Sequence, residues 1–142
     1  MSLAADIADA VVATLEAAAL SLPITAARAY APVEDLAEGD GVRVDVVPTI
    51  HAATVADVSR RLEHQWVISV WVRERLGTSD PAIIDPLMDL VEEIVPLFAG
   101  RPLAGTRAQC VGVENNPAVD GGMLDAKGLF SSGLHLTFRT IG

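Results

Sequence analysis

At 142 residues, with 51% apolar side chains and only 4% aromatic ones, the chain has the size of one domain built on an aliphatic core, and it is too apolar to be disordered. Its 19 acidic and 10 basic residues leave a net charge of −9, which argues against a partner that needs a concentrated basic face, sequence-specific nucleic acid above all. Cys110 is the one cysteine, so no intrachain disulfide can form, and no apolar run approaches the length needed to cross a membrane.

Residues 3–20 read as an amphipathic helix. Leu3, Ile7, Val11, Leu15 and Ala18 recur at helical spacing, while Asp6, Asp9 and Glu16 fall off that stripe. The same three acids, with no basic run before them, do not match a signal peptide. Pro23 marks the end of the helix. Residues 24–30 make a short strand, followed by an acidic loop holding Pro32, Glu34, Asp35, Glu38 and Asp40. In residues 42–48, Val42, Val44 and Val46 alternate with Arg43, Asp45 and Val47, and Pro48 is expected to stop the strand. Residues 49–60 are ambiguous, with Ala52 to Val58 fitting either a strand edge or a helical turn.

Residues 62–73 carry the strongest strand signal. Trp66, Ile68, Val70 and Val72 share one face, and Gln65, Val67, Ser69, Trp71 and Arg73 share the other. Apolar groups on both faces predict a central strand, covered on both sides or by another subunit. Asp80 and Pro81 then start a second helix, as N-cap and first helical residue. Its buried stripe is expected to comprise Ile83, Ile84, Leu87, Leu90, Val91, Ile94 and Leu97, with Asp85, Asp89, Glu92 and Glu93 on the wet face. Pro86 marks a kink or a later start, and Pro96 with Gly100 an end. Residues 107–113 form another strand, residues 114–128 a long polar loop, and residues 129–141 a closing strand. The order α-β-β-β-α-β-β defines an α+β class. It predicts a mixed or mainly antiparallel sheet of about four to five strands with two helices packed on it.

The side chains offer no constellation for chemistry. His51, His64 and His135 stand in no metal-ligand spacing, Ser69 lacks a nucleophile elbow, and the glycines form no phosphate-binding loop. Cys110 beside His135 on neighbouring strands is the nearest approach to a reactive pair, although a small buried thiol is the commoner use of such a residue. We therefore assign no catalytic, cofactor-binding or metal-binding residue.

The acidic turn leading into V-R-V-D-V-V-P, the long strand Q-W-V-I-S-V-W-V-R, the helix I-I-D-P-L-M-D-L-V-E-E-I and the loop leading into L-F-S-S-G-L-H-L-T-F occur in an order that resembles the tail-completion, or tail-terminator, proteins of long-tailed phages and prophages. The resemblance spans nearly the whole chain and rests on pattern rather than on an invariant motif. It implies a small structural protein without enzymatic activity that forms a homo-oligomeric ring, often a hexamer. Such a ring caps the tail tube and meets the head–tail connector proteins. It also implies a place in the virion tail, with assembly in the host cytoplasm. A ring needs two different patches on each subunit. The expected patches are Trp71, Arg73 and Arg75 near the end of the long strand, and Asn115, Asn116, Asp120, Asp125 and Lys127 in the loop. Excising residues 117–126 is expected to spare folding and weaken assembly. The alternative reading is a small-ligand-binding α+β domain or an enzyme, in which His64, Gln65 and His135 would converge in one cavity.

Overall fold

The computed structural model describes residues 2–31 and 36–141; Pro32, Glu34 and Asp35 of the acidic loop lie outside them. Helix α1 (Leu3–Ala17) is followed by strands β1 (Ile24–Arg28), β2 (Val42–Val55) and β3 (Leu62–Arg75). Helix α2 (Pro81–Phe98), strand β4 (Gln109–Asn115), helix α3 (Gly121–Lys127) and strand β5 (Leu129–Ile141) complete the chain. The strands form one five-stranded mixed sheet in the order β1-β2-β3-β5-β4. β1 runs parallel to β2, and every other pairing is antiparallel. The fold is thus α+β, as the periodicity predicts, with one helix more than expected.

α1 is alanine-rich, which favours helix, and the Ser2 side chain caps it by accepting from the Ala5 N–H at 3.3 Å. Ile7, Ala8, Val11 and Leu15 are buried against β1 and β2. α2 begins as the sequence predicts, with Asp80 accepting from the Ala82 N–H at 3.0 Å and Pro81 in the first turn. It then continues through both Pro86 and Pro96. Each proline removes one helical hydrogen bond, and the burial of Ile84, Leu87, Leu90, Val91, Ile94 and Phe98 offsets the loss. Ile83, expected in the core, lies in the exposed first turn, and Phe98 rather than Leu97 completes the buried stripe.

The two helices cover the sheet face formed by Val44, Val46, Ile68, Val70, Val72, Leu134, Leu136 and Phe138. Phe98 and Phe138 meet edge to face within this layer, with ring centroids 6.4 Å apart. Burying each such ring stabilises the fold by about 1.5–3 kcal/mol.

Pro48 does not stop β2. The strand continues to Val55, and Thr49 is the extra residue of a bulge between Pro48, opposite Ile68, and Ile50, opposite Val67. β1 pairs with β2 only as far as Val46, so Pro48 sits where β2 becomes an edge strand and its missing N–H costs no ladder bond there. Beyond the bulge, β2 and β3 form a hairpin arm that outruns β1, with the start of α1 bordering it as far as His64. All of residues 49–55 are exposed. A turn closes the arm, with the Ala56 N–H donating to Arg61 O at 2.7 Å and Arg60 in a left-handed conformation at φ 62°.

Glu74 sits half-buried on β3 opposite Phe130, and burial raises its carboxyl above the ordinary 4.5. The folded chain therefore binds a proton here more tightly than the unfolded chain. Stability from this site is present below about pH 4 and falls as the pH rises through the raised value. Glu74→Gln should raise the melting temperature at pH 7, and the gain should vanish below about pH 4 when both proteins are melted across that range.

Candidate functional site

The residues singled out on β3 and in the 114–128 segment come together at one end of the sheet, and most of them are engaged within the subunit. Arg73 is only 6% exposed, and its Nε donates to Ser131 Oγ at 3.2 Å. Its guanidinium lies 5.9 Å from the centre of the Trp71 ring, at cation–π distance. Beside it, Arg43 Nε donates to the fully buried Asp45 carboxylate at 2.9 Å. Arg75 donates to the carbonyls of Lys127, at 2.7 Å, and Leu36.

The 114–128 segment is not structureless. β4 extends to Asn115, and α3 occupies residues 121–127. Asp120 caps α3 by accepting from the Met123 N–H at 3.1 Å, and Gly128 ends it in a left-handed conformation. The Asn116 N–H donates to Gly133 O at 2.8 Å, the Gly133 N–H to Pro117 O at 3.0 Å and the Asp120 N–H to Ser131 O at 2.9 Å. With its nitrogen turned inward, the Asn115 amide donates to Gly133 O at 2.9 Å. Gly133 is required here. A Cβ at that position would come within 2.8 Å of the Trp71 ring and 3.1 Å of Asn116 O. Trp71 is therefore half-covered by its own chain, while Asp125 and Lys127 stay exposed beside a shallow cleft with Thr78 and Ser79.

A polar chain crosses the outer sheet face below Trp71. Thr49 Oγ1 lies 2.7 Å from Ser69 Oγ, Ser69 Oγ lies 2.8 Å from His135 Nδ1, and His135 Nε2 lies 2.7 Å from Asn116 O. A carbonyl can only accept, so Nε2 donates to Asn116 O, and in the neutral ring Nδ1 then accepts from the Ser69 hydroxyl. Ser69 thus pairs with His135. The pair has the spacing of a nucleophile and its base, but the Ser69 side chain is only 2% exposed and bonded on both sides. Cys110 shares the helix-facing side with Phe138, away from His135 on the outer face, and burial raises its thiol pKa, which suppresses thiolate chemistry. Among the described residues no group of three or more His, Cys, Asp or Glu is placed to hold a metal.

His64, Gln65 and His135 do not converge. His64 lies on the helix side of the arm, with Nδ1 2.8 Å from His51 Nε2, and the His51 ring stacks on Trp66 at 3.7 Å. His64 borders a groove of about 340 Å³ with Asp6, Arg107 and Thr140, whereas His135 borders another on the opposite face with Ile50, Val67 and Thr137. Gln65 is exposed.

The arm, whose residues 49–60 the sequence left between a strand edge and a helical turn, exposes several large apolar side chains. Ile50 is 56% exposed, Val55 65% and Val58 fully so at 105%, with Leu62 beside them. A helix or strand face of this kind ordinarily finds cover. The outer edge of residues 47–55 also has no strand beside it among the described residues. The β-branched pairs Thr49–Ile50 and Thr54–Val55 are the signal for a longer strand.

Over its whole length the chain superposes on the whole of a chain from the virion of a native gene transfer agent (GTA) particle, with a TM-score of 0.53 and 16% sequence identity. At that identity the likeness establishes a shared fold. No family model matches the sequence, and no curated protein matches it.

The hydrogen bonds from residues 116–120 to β5 reverse the expectation for the excision. Removing residues 117–126 should abolish a cooperative melt or lower its midpoint by about 10 °C or more, because several backbone bonds worth about 1 kcal/mol each are lost together with the cover over Trp71. Near-ultraviolet circular dichroism of the tryptophans checks this directly. An unchanged spectrum and melt would show the segment to be dispensable for folding.

Proposed function

We propose that this chain is a structural subunit of a virion, and more narrowly that it forms a homo-oligomeric ring closing the tail tube of a long-tailed phage or prophage, where the tail meets the head. The observation that carries the reading is the full-length superposition on a chain of a gene transfer agent virion, with every element of the fold included. The tail-completion resemblance in the sequence makes the reading narrower.

The physical form of the subunit supports it. A ring requires a heterologous contact between two different patches. The arm supplies an apolar patch reaching away from the core, and the rest of the subunit supplies the second. The role calls for no catalytic group, and the buried Ser69–His135 pair is explained as a structural tie between the arm base and Asn116. The net charge of −9 suits a lumen through which DNA passes without adhering. On this reading the protein is made in the host cytoplasm and resides in the virion tail, in contact with tail-tube and head–tail connector proteins.

The test is native mass in solution across a concentration series. A discrete assembly near six subunits is expected, together with binding to purified tail tubes. A strict dimer, or specific thermal stabilisation by one compound in a metabolite screen, would instead favour a ligand-binding domain or an enzyme.

A further inference from the structure

At the level of the arm the sheet runs β2-β3-β5-β4, and both of its lateral edges are open among the described residues. The direction of each edge group follows from the ladder. The Ala56 N–H donates to Arg61 O, so by the two-residue alternation of an antiparallel pair Thr54 and Ala52 face β3, while Val55, Ala53 and His51 turn their N–H and C=O outward. On β4 the Asn116 N–H donates to Gly133 O, which leaves Asn115 and Val113 facing outward. The Cys110 N–H also points out, but Arg101 O accepts from it at 3.0 Å. The outward groups of residues 51, 53, 55, 113 and 115 have no such partner among the described residues.

A sheet edge that stays single ordinarily carries charge, lysine above all, which keeps other strands away. Here 20% of the chain is charged, yet the run from Val46 to Ala56 holds no Asp, Glu, Lys or Arg, and neither does the run from Ala108 to Val113. Each edge instead exposes a valine, Val55 at 65% and Val111 at 46%. Both edges thus lack the usual guard against pairing.

Resting on the ring reading above, we propose that the arm edge of one copy pairs antiparallel with the β4 edge of the next. The occupant is a second copy because one chain carries both halves of the joint, on opposite sides of one sheet. β2 and β4 run in opposite directions, so repeating the subunit side by side around a ring axis sets them antiparallel. The outward residues of both edges also carry their side chains on the helix-covered side, as Ala53 opposite His64 and Val113 opposite Leu136 show. Facing residues of a pair share one side of the sheet, so the helices of both copies lie on the same side, as a ring requires. Setting His51 opposite Asn115 and Ala53 opposite Val113 uses both free β4 positions and brings Val55 level with Val111. Within one copy the rows of His51 and Asn115 cross β5 at Phe138 and Leu134. That offset, about four residues over four strands, tilts the strands by about 35° from the ring axis, close to the tilt at which sheets close into barrels.

Disulfide cross-linking tests the joint. In this register Ala52 and Glu114 of adjacent copies form a non-hydrogen-bonded pair, with Cα atoms about 4.5 Å apart, close enough for a disulfide. Within one subunit they stand on opposite edges of the sheet, three strand spacings or about 14 Å apart at the least, which no disulfide spans. Both side chains are exposed. The full-length variant Ala52→Cys with Glu114→Cys, on a Cys110→Ala background, should give a series of covalent multimers on mild oxidation, ending at the ring mass. Either cysteine alone should stop at the dimer. Ala53→Pro removes an outward N–H that β3 does not use, so it should melt like the parent chain and associate about tenfold or more weakly by sedimentation velocity. A parent chain that assembles while the paired cysteines give no multimers would overturn the joint and leave the ring reading intact. Multimers from Thr54→Cys with Glu114→Cys in their place would overturn the register. A parent chain that stays a single subunit at every concentration, with no multimers from either pair, would overturn both the joint and the ring reading.

Discussion

The pairing of β3 with β2 on one side and β5 on the other is the constraint from which the rest of this molecule follows. β3 and β2 are the longest strands, at 14 residues each, while the helices and β1 cover only part of that length. Where the helices lie, the shared face is a closed aliphatic core. Beyond Pro48 residues 49–55 of β2 continue exposed, while Trp66 opposite them on β3 stays buried. A two-stranded hairpin is marginal by itself. Here β5 lends a third strand, pairing Thr137 to Ile141 with residues 63–67 of β3, so the arm is held as a stiff extension of the sheet. The core and the projecting surface are therefore one continuous ladder.

Much of this was legible in the sequence. The alternation in β2 and β3, the Asp80–Pro81 start of α2 and the helical stripe of α1 are local signals, and the structure agrees with them except that Leu3 is exposed and the helix ends at Ala17, before Ala18. Pro48 misled because a proline ends a strand only when its N–H would face a partner, and whether a partner is present is a property of sheet order. The continuation of α2 through Pro86 and Pro96 is likewise a tertiary outcome, since the apolar stripe from Ile84 to Phe98 is buried as one piece. α3 is seven residues long, with two glycines at its start, and its stability comes from the Asp120 cap, Gly128 and contact with β5 rather than from propensity.

The interface residues inferred from sequence show the same divide. Trp71, Arg73 and Arg75 were conspicuous because large and charged side chains at the end of a strand ordinarily mark a surface. Their chemistry is instead spent within the chain. Arg73 reaches Ser131, Arg75 reaches two carbonyls, and Trp71 lies against Gly133. Alternation assigned these side chains to the outer face correctly. It carried no information on whether a later segment returns to cover that face, as Asn116 and its neighbours do.

That cover also explains why the two halves of the outer sheet face differ in character. The half toward the 115–128 segment holds Asp45, Arg73 and Ser131, polar groups that burial makes costly unless paired, and each has a partner. The half along the arm holds Ile50, Ala52 and Val67, which demand no partner but leave apolar surface in water. Polar groups sealed in one half and apolar groups exposed in the other invert the usual arrangement of an isolated subunit. The inversion is consistent with a surface completed by other chains. The Thr49–Ser69–His135–Asn116 hydrogen bonds run across the boundary between the halves, so the bulge that launches the arm is tied to the segment that seals the other half. The base of the arm, β5 and the covering segment are thereby joined in one hydrogen-bonded unit.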